Sequence, residues 1–293
     1  MRHDTEYIKV LQDLISFDTT SYKSNLPLIN YIKNYLDHEN IITVLNLNKE
    51  LTKANLFIST GPKDVAGILL SGHTDVVPAD GQIWDTEPFK AIIKDNNIYG
   101  RGTADMKGFI ACALVAMKQA AHMSLSHPLH LCLSYDEEIG CIGVRGILNQ
   151  ISKMVIPPTI TIIGEPTLMN VATSHKGKAV FQVSFYGESG HSALAPKYLN
   201  AIHTASYFIQ SLIKSQEIIA KEGNTDTGFD IPYSTIHVGK ICGGEAINIV
   251  PNFCQLNYEV RNLAQDQIIE IQTLIFKKFR DYNINDNYDL EQI

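Results

Sequence analysis

Apolar residues along the chain recur in two rhythms that change along its length. Tyr7, Ile8, Leu11, Leu14 and Ile15 return at helical spacing, as do Leu28, Ile29, Ile32 and Leu36, which predicts two opening helices. Short β-rich runs follow at Ile41–Leu47, Asn55–Ser59 and Ala66–Ser71. Met106–Ala121 reads as a helix packed on two sides. Pro128–Tyr135 alternates, with Leu129, Leu131, Leu133 and Tyr135 on one face of a strand. Val144, Ile147, Leu148 and Ile151 mark another helix, and the continuous apolar run Thr159–Ile163 predicts a strand buried on both faces. Strands alternating with helices indicate an α/β fold with a mixed sheet flanked by helices.

The rhythm changes after Thr167. Lys178–Tyr186 alternates as a strand, Asn200–Ser215 carries a helical stripe of Ile202, Ala205, Phe208, Ile209, Leu212 and Ile213, and Lys221–Asp230 is a polar loop. Strands at Ser234–Ile241 and Phe253–Arg261 precede a last helix with Ile268, Ile271, Leu274, Ile275 and Phe279. The order β-α-β-β-α is that of a ferredoxin-like split sandwich lacking its final strand, which Tyr288–Ile293 would begin. Two domains are therefore expected, at residues 1–174 and 175–293.

Composition narrows the class. The 293 residues are 45% hydrophobic and 19% charged, too apolar for a disordered chain. With 24 basic against 31 acidic side chains the net charge is −7, which argues against nucleic acid or an anionic membrane as the main partner. No apolar run reaches the roughly 18 residues of a membrane span, and the acid-bearing N-terminus is not that of a secretion signal. The five cysteines are an odd number without Cys-x-x-Cys spacing, so neither a disulfide framework nor a thiolate zinc site is expected. A cytoplasmic setting fits. His130 and Cys132, within a strand, and Cys112 and Cys254, in apolar contexts, read as packing residues.

Four acidic or imidazole clusters fall where a metal site would need them. They are Ser71–Pro78 with His73 and Asp75, Gly100–Gly108 with Asp105 at a predicted helix start, Tyr135–Gly140 with Asp136, Glu137 and Glu138, and Ile162–Thr167 with Glu165. Each alone has an ordinary reading: a solvated His–Asp neighbour, an exposed helix start, a surface acid. Carboxylates crowded at neighbouring strand ends repel one another unless a cation neutralises them, and two divalent metals sharing one carboxylate would do so. Nitrogen and oxygen donors without sulfur suit zinc or a similar first-row metal. Gly100–Asp105 is not a dinucleotide fingerprint, because Asp105 would oppose a pyrophosphate. Gly187–His191 is not a nucleophile elbow, because His191 stands where the second glycine must be.

Taken together, these motifs, with Trp84, His175-Lys176-Gly177, Gly190–Ala193 and Ala246–Pro251, resemble the aminoacylase/carboxypeptidase group of co-catalytic zinc amidohydrolases over essentially the whole chain. The resemblance implies a zinc-peptidase-like catalytic domain with an inserted dimerisation or lid domain. It implies that His73 and Glu165 bind one zinc, that Asp105 bridges, and that Glu138 binds the second, with cobalt as a substitute metal. Asp75 would orient His73, and Glu137 would be the general base. His191 would polarise the scissile carbonyl, in dimeric members across the subunit interface, while Asn248 and Arg261 would hold the substrate. The implied substrate is a small N-acyl amino acid, N-acetyl-L-ornithine first, with succinyl-diaminopimelate or a peptide C-terminus as alternatives. Residues alone do not decide between Glu137 and Glu138 as base.

One departure stands out. Members of the group close the second metal site with a histidine from a C-terminal segment, whereas the last histidine here is His237. The expectation is a C-terminally truncated form, with an inactive remnant kept for dimerisation or binding as a further alternative.

Overall fold

The computed structural model describes residues 4–283 and 287–293. It divides into two compact units, Met1–Val171 and Ala172–Ile293.

The first unit opens with α1 (Asp4–Ile15) and α2 (Leu26–Tyr35), followed by β1 (Ile41–Leu47), β2 (Ala54–Thr60) and β3 (Ile68–His73). A hairpin of β4 (Ile92–Lys94) and β5 (Asn97–Tyr99) comes next, then α3 (Gly108–Ala120), β6 (Leu129–Ser134), α4 (Val144–Met154) and β7 (Ile160–Ile163). Five strands form a sheet in the order β1-β2-β6-β3-β7. β2 is antiparallel to β1 and β6, whereas β3 runs parallel to β6 and β7, so the sheet is mixed as expected.

Side-chain alternation assigns the two faces. Leu56 and Ile58 of β2 and Leu131 and Leu133 of β6 are fully buried with Leu14, Leu28, Ile32, Ile110 and Leu114 from α1, α2 and α3. The intervening Phe57 and Cys132 meet Ile147 and Ile151 of α4. Each such buried aliphatic side chain contributes about 1.5–3 kcal/mol of transfer free energy. His130 stacks on Phe57 at 5.5 Å and is a packing residue, as read from the sequence.

Two sequence expectations in this unit are corrected and one element is new. β7 is an edge strand paired only with β3, and Ile160, Ile162 and Ile163 are 54%, 46% and 64% exposed. A β-branched run reports a preference for extended chain, not what covers it. Cys112 faces outward from α3. The β4–β5 hairpin was not expected; its turn residues Asp95 and Asn96 both have positive φ, the conformation a two-residue turn of this kind demands.

The second unit comprises β8 (Gly177–Tyr186), α5 (Ala201–Glu222), β9 (Thr235–Gly243), β10 (Phe253–Asn262), α6 (Ile268–Arg280) and β11 (Tyr288–Gln292). Its antiparallel sheet has the order β11-β8-β10-β9. Ala179, Phe181, Val183 and Phe185 of β8 and Cys254, Leu256, Tyr258 and Val260 of β10 point to one face, where α5 and α6 cover them with Phe208, Leu212, Ile275 and Phe279. Asn200 caps α5 by accepting from the Ile202 and His203 amides. α5 runs past the expected Ser215 to Glu222, because Ile219 continues the buried stripe. The fourth strand is present: β11 pairs with residues 181–185 of β8.

Candidate functional site

β3 and β6 end side by side, and the loops that leave them carry the chemistry. His73 closes β3 opposite Ser134, and the Thr74 amide continues the ladder by donating to the Ser134 carbonyl at 2.8 Å. Asp105 lies three residues before α3, not at its first turn, with φ −121° and ψ 98°. That corrects the helix-start expectation: Thr103–Lys107 forms a wider turn behind Gly102, whose φ of +83° suits glycine. Glu137 and Glu138 follow Asp136 in the turn after β6. Glu165 follows β7 through Gly164, where an added Cβ would stand 2.0 Å from the Phe109 ring. Glycine there lets Phe109 of α3 lie against the strand end.

The structure brings five predicted residues to one point. His73 Nε2 is 3.0 Å from Asp105 Oδ1 and 3.8 Å from both Glu137 Oε2 and Glu165 Oε1. One ligand atom from each of His73, Asp105 and Glu138 lies within 4.8 Å of the others, and the same holds for His73, Glu137 and Glu165. The His73 side chain is 2% exposed, while those of Asp105, Glu137 and Glu165 are 46%, 35% and 40% exposed. The cluster therefore has a closed floor and an open side.

Asp75 organises that floor. His73 Nδ1 donates to the Asp75 main-chain carbonyl at 3.0 Å and stands 3.4 Å from its carboxylate Oδ1, which leaves Nε2 facing the acids. The Asp75 carboxylate also accepts from the Glu137 amide (3.0 Å), the Glu138 amide (3.3 Å) and the Ser21 hydroxyl (2.8 Å). Burial opposes ionisation of Asp75, yet the His73, Glu137 and Ser21 bonds outweigh it and hold its pKa below the usual value. Burial likewise disfavours the His73 cation, but Asp75, Glu137 and Glu165 raise its pKa to about 9. Burial, then Asp105, pushes Glu138 up to about 7; burial, with Asp105 and Glu137, also raises Glu165. A cluster of mutually repelling carboxylates around one imidazole is a donor set that a divalent cation fits.

The polar support behind this cluster is not apparent in the sequence. Thr19 donates to the Thr74 carbonyl at 2.6 Å, and Asn25 Nδ2 bonds the Ala54 carbonyl and Thr74 Oγ1. Lys107, fully buried, donates to the Leu14 and Phe17 carbonyls at 3.0 and 2.8 Å; burial lowers its pKa to about 7. Lys53 bonds both Asp136 carboxylate oxygens at 2.5 and 2.7 Å. The run Thr19–Asn25 looks like a helix connection in sequence, and nothing periodic announces that Thr19, Thr20, Ser21 and Asn25 are buried.

The remaining predicted residues belong to the second unit. His191 is exposed, its Nδ1 accepts from the Ala193 amide at 3.1 Å, and it forms a bridge to Ile249. The Ser192 amide donates to the Asn248 carbonyl at 3.0 Å, so His191 and Asn248 share one end of the sheet. Arg261 is at the other end, opposite Lys178, with its Nε 3.1 Å from Glu259 Oε1. From Phe253 to Arg261 along β10, at about 3.3 Å per residue, is roughly 26 Å.

The chain has recognisable relatives. The model of peptidase family M20/M25/M40 matches residues 69–272. An acetylornithine deacetylase from Buchnera aphidicola subsp. Schizaphis graminum is 33% identical over 292 residues, spanning 95% of this chain and 75% of the relative. One from Pasteurella multocida is 34% identical over 264 residues, 90% of this chain and 68% of the relative. Among solved structures, an M20 metallo-carboxypeptidase from Sulfolobus solfataricus superposes with a TM-score of 0.74 at 19% identity, covering 98% of this chain and 78% of its own. A dinuclear metal-binding M20 peptidase from Bacillus subtilis gives 0.63 at 15% identity, with 99% and 73% covered. Family match, fold and the five-residue cluster lead to one conclusion: the chain belongs to peptidase family M20/M25/M40.

Proposed function

We propose that the chain is a metal-dependent amide hydrolase that converts N-acetyl-L-ornithine to L-ornithine and acetate. The convergence of His73, Asp105, Glu137, Glu138 and Glu165 carries the reaction class. Likeness to acetylornithine deacetylases over 90–95% of the chain supports the substrate and does not favour the desuccinylase, carboxypeptidase or inert-remnant readings.

His73 and Glu165 would hold one divalent cation and Glu138 a second, with Asp105 placed to serve either; zinc would suit these donors, with cobalt as a substitute. Such a pair would supply Lewis acidity toward the acyl carbonyl and the attacking water. Glu137, partly exposed at the open side, takes the proton of the attacking water and passes it to the departing amine. Asp75 keeps His73 in the tautomer that presents Nε2.

His191 polarises the acyl oxygen and Asn248 and Arg261 hold the substrate, Arg261 through a carboxylate. Because His191 and Asn248 lie about 26 Å of strand from Arg261, one small substrate cannot meet all three from a single second unit. A homodimer removes that conflict, one copy giving Arg261 and its partner His191 and Asn248. The five free cysteines fit a reducing cytoplasm, and no helix among the described residues is long and apolar enough to cross a membrane.

The test compares initial rates of the metal-loaded chain on N-acetyl-L-ornithine, N-succinyl-diaminopimelate and a dipeptide. Acetyl-ornithine is expected to be hydrolysed fastest. A faster desuccinylation, or no hydrolysis with two metals bound, would overturn the reading.

A further inference from the structure

Lys53 lies at the mouth of the β1–β2 turn, outside every motif that points to the reaction, yet three separate segments meet at its ammonium. It bonds Asp136 Oδ1 at 2.5 Å and Oδ2 at 2.7 Å, and its third hydrogen goes to the Ser21 main-chain carbonyl. Both partners are committed to the cluster. Asp136 immediately precedes Glu137 and Glu138, and its φ of +54° sets the direction in which that turn leaves β6. Ser21 donates through its hydroxyl to Asp75 Oδ2, and Asp75 accepts the amides of Glu137 and Glu138. The contacts thus close a ring: Lys53, Asp136, the Glu137–Glu138 backbone, Asp75, Ser21 and back to Lys53. The Lys53 and Asp136 side chains are only 12% and 11% exposed, so water competes little for this link.

We propose that Lys53 is a positioning residue for the reaction: by clamping Asp136 to Ser21 it holds the Glu137–Glu138 turn so that both carboxylates face His73. The proposal rests on reading the His73 cluster as a metal centre. Residues that bond a metal ligand from behind change metal affinity by about 10–100-fold when removed. Asp75 stands at that distance from His73, and Lys53 acts one step behind it, through Asp136 and Ser21. A side chain that merely stabilised the fold would change melting without changing affinity in the folded chain.

The experiment titrates Co2+ into the metal-stripped 293-residue chain, reading stoichiometry by equilibrium dialysis and ligand geometry by visible absorption. Thermal melting and kcat and KM on N-acetyl-L-ornithine are measured beside it. Lys53→Met leaves the Asp136 charge buried without its partner and is vulnerable to misfolding. The decisive variant is therefore the double change Lys53→Met with Asp136→Asn, which buries no unpaired charge. It is expected to melt near the wild type, to bind one Co2+ at least about tenfold more weakly with an altered spectrum, and to lose kcat while KM stays within about twofold. Two Co2+ ions bound with wild-type affinity and spectrum would overturn the proposal. Failure of the wild-type chain to bind Co2+ would overturn it together with the metal reading. Normal Co2+ binding by the wild type, weakened in the double variant, with no turnover of acetyl-ornithine by either, would sink the substrate reading and leave the role of Lys53 standing.

Discussion

Replacing Asp75 with Asn tests whether one carboxylate organises the cluster. Asp75 is 2% exposed and its carboxylate serves four groups: His73 Nδ1, the Glu137 and Glu138 amides and the Ser21 hydroxyl. Oδ1 faces the Glu137 amide and Oδ2 faces both the Glu138 amide and Ser21. In the Asp75→Asn chain one of these oxygens becomes an NH2 group, so at least one partly buried backbone N–H meets a donor. Ser21 can turn and accept, but the facing amide cannot, and that unsatisfied pair costs about 1–3 kcal/mol. Losing the negative charge weakens the surviving bonds by about 1 kcal/mol each, since hydrogen bonds to charged groups contribute roughly twice those between neutral ones. The expected loss is about 3–5 kcal/mol. It is read from urea unfolding of the metal-free chain near about pH 7, with a roughly 10–100-fold fall in Co2+ affinity measured beside it. A change below about 1 kcal/mol, together with unaltered Co2+ binding, would refute the argument.

Glu137→Gln should lower kcat by about 10²–10⁴-fold while metal content stays near two per chain; retained turnover would remove Glu137 from the proton path. The metal-free chain should lose stability as pH rises from about 5 to 7. Above about 7 the buried Lys107, lowered to about 7, gains stability with pH while His73 loses it, and the two offset. Glu138, raised to about 7, and His73, raised to about 9, both favour the folded state while protonated. Their contribution is complete below the unfolded values, fades for Glu138 as pH rises through about 7, and fades for His73 through about 9. Co2+ should reverse this trend and release protons on binding, and a melting temperature independent of pH from about 5 to 7 without metal would contradict it. If His191 acts across a dimer, mixing inactive Glu137→Gln and His191→Ala chains with subunit exchange should restore about a quarter of the wild-type activity, because half the dimers then carry one intact site. No recovery from exchanged dimers would place His191 and Glu137 in the same site from one chain.

The sequence determined more of the chemistry than of its surroundings. His73, Asp105, Glu137, Glu138 and Glu165 are legible because acids and imidazole at strand ends leave a mark in any chain, and their motifs are long. Strands β6 and β8 are legible for a related reason, because alternation at period two is imposed residue by residue by the pleat, whereas β1 and β2 show only as short β-rich runs. Burial of β7 was not legible, because an isoleucine run has the same pattern at an edge as at the centre of a sheet. The wider turn around Asp105 was hidden too, since Gly102 and Lys107 take up their roles only against Val76, Leu14 and Phe17. Ser21 and Lys53 were invisible for the same reason. Their partners, Asp75 and Asp136, are 54 and 83 residues away along the chain. Likewise only the strand register separates Arg261 from His191 and Asn248, which the motifs alone group around one substrate. Local pattern names the groups that react; packing between distant segments decides which of them meet, because hydrogen bonds and ion pairs act over a few ångströms of space however much chain lies between.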